Sequence, residues 1–277
     1  MGERSRIEWT EATWNPWHGC TKISPGCAYC YMYRQKHQYG QDPNVVVRSR
    51  TNFEAPLRWR MSKMILTCSW SDWFHELADT WRHEAWSVIR RCPQHTFQIL
   101  TKRPERIRRC LPQDWPMPNV WIGISAEYQR WADVRIPLLT SLPAAVRFVS
   151  CEPLLGPLDL RHHLTDGTIH WLVVGGESGG PANRRLVELR DGQWLPKPEA
   201  VEWVRSIRDQ CTQAGVAFFF KQFGGPRPTS GGRLLDGCEW NEMPRSSLAN
   251  KRTWADQASP KPSECSLRRT VSDPQRP

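Results

Sequence analysis

The sequence predicts an α/β protein, a complete or partial (β/α) barrel of parallel strands, and three observations predict it. Apolar runs of four to six residues recur along the chain, in MILTC, TFQIL, VWIGI, VRFVS, WLVVG and VAFFF. Each reads as a strand buried on both faces of a parallel sheet. Most links between them are long enough for a crossover helix. Polar, chemistry-capable residues follow almost every run, as expected where all strand ends open on one mouth rather than at a single switch point.

In chain order, IEWTEATW (7–14) reads as a first short strand, YMYRQKHQYG as a helix ending near Gly40, and VVVRS as a small strand within 41–63. MILTCSWSDWFH (64–75) is followed by a helix from Thr80 to Cys92, and TFQILTKRPERI (96–107) holds one from Pro104 to Cys110. VWIGISAEYQ (120–129) leads into ADVRIPLLTSL, and VRFVSCEPLLGPLDL (146–160) into a weakly helical link. IHWLVVGGESGG (169–180) returns through EAVEWVRSIRDQCTQAG (199–215) to VAFFFKQFG (216–224). With the N-terminal strand this makes about seven units. Residues 225–244 have a turn-rich hairpin character that would close the barrel's end, giving one domain over 1–244. Residues 245–277, rich in Ser, Pro, Arg and Lys, read as a disordered basic tail.

The formal net charge is +10, of which the tail supplies +4 from seven basic and three acidic residues. A mildly basic body is compatible with a polyanionic partner, but the charges are dispersed. Sixteen tryptophans could stack on bases, whereas Trp81, Trp86, Trp131 and Trp203 lie in helical segments, where packing is the expected role. The N-terminus, MGERSRIEWTEATW, lacks an apolar leader segment. No apolar run reaches the roughly eighteen residues of a membrane span. A cytoplasmic setting is therefore expected, in which ten cysteines favour metal or cluster chemistry over disulfides.

TWNPWHGCTKISPGCAYCY (13–31) concentrates that chemistry, with Cys20, Cys27 and Cys30 in a C-x6-C-x2-C loop rich in glycine and proline. Two readings stay open. Three thiolates suit a 4Fe-4S cluster with one iron left for a ligand. The same loop suits a structural zinc with a fourth ligand from His18, Cys68 or Cys151.

The mouth residues are Ser69, Ser71 and Asp72; Thr101, Lys102 and Arg103; Ser125 and Glu127; Ser150 and Glu152; Glu177 and Ser178; Lys221 and Gln222. The acids Glu127, Glu152 and Glu177 could receive an ammonium or a hydroxyl, or pair internally with Lys102, Arg103 and Lys221. GGESGG (175–180) lacks the spacing of either phosphate-binding signature. Close approach of a cofactor is the expectation there.

The strings TWNPWHGCTKISPGCAYCY, SDWFH, FQILTKRPERI, SCEPLLGPLDL, VVGGESGG and FFFKQFGG, spread from about Ile7 to Pro244, resemble the phage and prophage family named "gp thirty-seven / gp sixty-eight". That family is a domain of unknown function with a radical-SAM-like barrel. A more distant resemblance is to the radical S-adenosylmethionine superfamily, where an aromatic precedes the last cysteine, as Tyr29 precedes Cys30 here. The common superfamily spacing is C-x3-C-x2-C, which this loop departs from. The family's glycine-glycine-glutamate stretch follows the second strand, where this chain has SWSDW.

The resemblance implies a barrel of the TIM/radical-SAM type, with Cys20, Cys27 and Cys30 holding a 4Fe-4S cluster. The open iron would chelate S-adenosyl-L-methionine, and cleavage would yield a 5′-deoxyadenosyl radical that abstracts hydrogen from an unknown substrate. Ser71, Asp72, Glu127, Glu152 and Glu177 are then expected at the cofactor, and Lys102 and Lys221 at a carboxylate or phosphate of the substrate. Two other readings are a nucleic-acid-binding or assembly protein with a structural zinc, and an iron–sulfur protein whose fourth thiolate is Cys68 or Cys151. Nucleic acid and a partner protein both stay open as partners.

Overall fold

The computed structural model describes residues 2–244, and the expected tail over 245–277 lies outside them. The chain opens with β1 (Ala12–Trp14), β2 (Trp17–His18), α1 (Tyr31–Gln38) and β3 (Val47–Arg48), the last pairing antiparallel with β2. Strand and helix then alternate through β4 (Met64–Thr67), α2 (Asp79–Arg90), β5 (Thr96–Thr101), α3 (Ile107–Cys110), β6 (Val120–Ser125), α4 (Gln129–Thr140), β7 (Val146–Cys151), α5 (Arg161–Leu164) and β8 (Trp171–Gly175). An antiparallel ribbon of β9 (Val187–Arg190) and β10 (Gln193–Pro196) precedes α6 (Pro198–Ala214) and β11 (Ala217–Gln222).

Seven strands form one sheet in the order β1-β4-β5-β6-β7-β8-β11, and every neighbouring pair is parallel. Each new strand adds beside the last, and the sheet curls into an open half-barrel flanked by helices. The partial-barrel form of the predicted fold class is therefore the observed one.

The apolar runs are continuous because both sheet faces are covered. On β7, Val149 and Cys151 enter the outer core beneath the helices, while Val146 and Phe148 enter an inner core with Trp121, Trp171, Val173 and Phe219. Full burial of side chains of this size stabilises by about 1.5–3 kcal/mol each. Trp9, just before β1, sits inside the barrel against Phe148 and Trp171 at ring distances of 6.1 and 5.8 Å.

The far edge is closed from the C-terminal side. Phe220 N–H donates to Trp240 O at 2.9 Å, and Glu242 N–H to Phe218 O at 3.1 Å. This pairing blunts the exposed edge of β11; the stretch 225–244 was expected to close the barrel's end and instead pairs along its last strand.

Three features differ from expectation. β1 begins at Ala12 rather than Ile7, because Thr10 N–H turns back onto Ile7 O. The β9–β10 ribbon precedes the expected return helix, in a stretch for which no element was expected, and it turns on Asp191-Gly192, both with positive φ. Trp14, Trp17, Trp73 and Trp86 form a buried chain of ring contacts with centroids 4.9 to 5.8 Å apart. These rings are core packing and do not face a base. No described helix is long and apolar enough to cross a membrane.

Candidate functional site

A cavity of about 530 Å³ opens at the C-terminal ends of the strands, with the cysteine loop forming one wall. Cys20, Cys27 and Cys30 all line it, and all three are free and half-buried. The loop is shaped by local rules. Pro25 starts a 3-10 turn over Pro25–Cys27, Cys27 N–H donates to Ser24 O at 2.9 Å, and Cys30 immediately precedes α1. Long-range bonds then anchor its first part, where Gly19 N–H donates to Trp70 O and Cys20 N–H to Pro43 O, both at 2.9 Å.

The donor set can be tested against the two metal readings. A tetrahedral zinc would hold its sulfurs about 3.8 Å apart, from a Zn–S bond of about 2.3 Å. Among the described residues, the group of three His, Cys, Asp or Glu whose ligand atoms converge within 4.8 Å is Asp133, His162 and His163, and not the cysteines. Burial, then the charge of Asp72, pushes the Cys20 thiol up to about 12, while Arg103 opposes the shift. The Arg103 Nη1 lies 3.5 Å from Cys20 Sγ. Any metal or cluster here must displace that proton.

Of the proposed fourth ligands, only Cys68 lines the cavity; His18 and Cys151 do not. Cys68 is buried and has a left-handed φ of 57°, a conformation uncommon for a non-glycine residue.

Ser71, Asp72, Lys102, Glu152, Glu177 and Lys221 line the same cavity as the cysteines. Asp72 is fully engaged. Its Oδ1 accepts from Thr101 Oγ1 at 2.7 Å and Phe74 N–H at 2.9 Å, its Oδ2 from Lys102 N–H at 3.0 Å, and Arg103 is 3.4 Å away. Ser71 donates to Gly19 O, tying β4's loop to the cysteine loop. Glu152 pairs with Lys221, as the internal-pairing alternative has it. Glu177 makes a two-pronged pair with Arg184 at 2.7 and 2.8 Å, and Arg184 also donates to Pro25 O at 3.0 Å.

Glu127 does not face the cavity, so its expected place at the cofactor is corrected. It is wholly buried beneath the cysteine loop, accepts from Arg135 Nη1 at 2.6 Å and from Ser24 Oγ, and so holds the loop from below. GGESGG lines the cavity through Gly176, Glu177, Ser178 and Gly179. A Cβ at Gly176, Gly179 or Gly180 would collide with Phe223, Arg34 or Glu177, so the chain's own groups take up the close approach. Arg135 and Arg184 went unread because neither has a local signature; each is defined only by the acid it meets.

Residues 4–244 match the model of a family described as "Protein of unknown function (DUF5131)". No curated protein and no solved structure matches the chain. The family's description names neither a reaction nor a phage origin.

Proposed function

We propose that this chain, which belongs to the DUF5131 family over nearly its whole length, is a cytoplasmic enzyme of the radical S-adenosylmethionine type with phage or prophage kinship. The observation that supports this best is one cavity at the mouth of an open parallel barrel, lined by three free cysteines from a single short loop. Cys20, Cys27 and Cys30 would hold a 4Fe-4S cluster, with S-adenosyl-L-methionine on the remaining iron. Bound there, that pair supplies the radical chemistry needed to take hydrogen from an unactivated carbon.

The chain's own residues bind, orient and shield. Arg103 places positive charge beside Cys20 and is itself fixed by Asp72 and by Thr21, whose carbonyl and hydroxyl accept from Nη2 at 3.1 and 2.8 Å. Ser71, Asp72, Glu152 and Glu177 form the polar wall facing the cofactor, and Lys102 and Lys221 the polar contacts for substrate. Glu127 acts as a positioning residue through Ser24. Leu66, Leu100 and Trp9 supply an apolar lining that excludes water.

Anaerobic reconstitution tests the reading. About four irons per chain are expected, with an electron-spin spectrum that changes on adding S-adenosyl-L-methionine. Cys20→Ala, Cys27→Ala and Cys30→Ala should each lose the iron, while Cys151→Ser keeps it. One zinc and no iron would overturn the proposal. A second reading rests on Cys68, the further thiol lining the cavity. Loss of the cluster in Cys68→Ser would favour a four-thiolate iron–sulfur protein without a vacant iron.

A further inference from the structure

We infer that the cavity floor formed by Lys102, Ser125 and Ser150 is an oxyanion subsite that receives a singly charged carboxylate or phosphate group of the substrate. This deepens the proposed function and rests on it only in calling the ligand a substrate.

Three adjacent parallel strands build the floor. Thr101 is in register with Ile124, and Ser125 with Ser150. Lys102, Ser125 and Ser150 therefore lie in one layer at the ends of β5, β6 and β7, and all three line the cavity. The Lys102 ammonium donates to Ser125 Oγ at 3.0 Å.

Among the described residues, charge accounting leaves that ammonium without a counterion. The acids of the cavity wall have their own cations: Asp72 has Arg103, Glu152 has Lys221 and Glu177 has Arg184. At the rim, Lys22 donates to Ala28 O at 2.7 Å, and Arg34 to Gly179 O at 3.1 Å. Among the described residues, Lys102 is the lining cation whose only hydrogen-bond partner is a neutral hydroxyl.

Ser150 is the independent observation. It is 1 % exposed, and its Oγ has no hydrogen-bond partner among the described residues. A buried hydroxyl left unpaired is costly, and such groups in folded proteins are usually satisfied by a partner. One cation bonded to one hydroxyl, with an unpaired hydroxyl in register on the next strand, matches an anionic group with two or more acceptor oxygens.

The test uses the full chain without iron, so that it does not depend on cluster assembly. Thermal unfolding is followed at constant ionic strength in sodium acetate and, separately, in inorganic phosphate, with chloride as the reference. Stabilisation of the wild type by either anion is expected, and the stronger one names the oxyanion. Lys102→Met should weaken that anion about tenfold and Ser150→Ala about threefold. Ser150→Ala should leave the ligand-free melting temperature unchanged or higher, because it removes an unpaired buried hydroxyl. If Lys102→Met does not fold, Ser125→Ala provides the second measure of lost anion response.

Equal response of wild type and Lys102→Met to both anions would overturn the inference. So would a Ser150→Ala variant that melts lower yet keeps its anion response, since the hydroxyl would then be holding a structural water. An intact anion response beside failed cluster reconstitution would sink only the proposed function.

Discussion

A Cβ placed on Gly26 would lie 2.7 Å from the carboxyl carbon of Glu127, so the turn between Cys20 and Cys27 rests directly on that buried acid. The chain joins these two points across 103 positions, through the bond from Ser24 to Glu127. The conformation of the loop is therefore set from beneath by β6 and α4, and not by the loop's own turns alone.

Gly26→Ala should lift the loop off Glu127 and cost it bound iron without unfolding the barrel. Iron and sulfide per chain after anaerobic reconstitution should fall by more than half, with an unchanged circular-dichroism spectrum. Full incorporation would show that the contact has no bearing on the site.

Arg135 neutralises Glu127 where both side chains are almost fully buried, 2 % and 0 % exposed. Its Nη1 also donates to Ser125 O at 2.7 Å. Arg135→Met leaves an uncompensated buried carboxylate, and urea unfolding should show a loss of about 3–5 kcal/mol. Adding Glu127→Met should restore much of that loss, because replacing both members of a buried pair with apolar groups is often near neutral.

Asp72 sits at the cavity but accepts hydrogen bonds on both carboxylate oxygens from within the chain. Asp72→Asn turns one acceptor into a donor facing other donors. Unfolding should register a loss of about 1–3 kcal/mol. An Asp72→Asn variant with wild-type stability but an altered response to S-adenosyl-L-methionine would assign Asp72 to the cofactor directly.

His95 is buried against Trp59 and Phe97, and its Nε2–H donates to Pro56 O at 3.2 Å. Burial holds its pKa below the ordinary 6.5, against the raising effect of the Pro56 and Trp59 carbonyls. A depressed folded-state pKa means that its contribution to stability is complete above the unfolded value of about 6.5 and is lost as the pH falls from there towards the folded value, because the unfolded chain binds the proton first. His18, His75 and His170 are shifted the same way, with burial as the main cause. The urea midpoint should therefore fall between about pH 7.5 and about pH 5.5, and His95→Phe should flatten part of that slope. A midpoint independent of pH across this window would contradict the assignment.

The strands were legible because their signal is local. MILT, TFQILT and VWIGIS carry the apolar continuity of a doubly covered sheet, and six of the seven sheet strands overlap the apolar runs. The cysteine loop was legible as a turn for the same reason, since Pro25 starts the 3-10 turn that ends at Cys27. The β9–β10 ribbon could have been found from its Asp-Gly pair. The roles of the three acids could not. Glu127, Glu152 and Glu177 follow their strands in similar fashion, yet the first lies under the loop and the other two face the cavity.

By itself, then, the sequence determined which segments build the parallel sheet and which cysteines share a loop, because each of these follows from the side chains of a few consecutive residues. Only the tertiary structure decided that Arg135, Lys221 and Arg184 each take one of the acids, and that Lys102 meets the Ser125 hydroxyl instead. Charges find their partners through space. Which cation meets which carboxylate depends on how the sheet curls and where each strand ends, and no pattern of neighbouring residues records that.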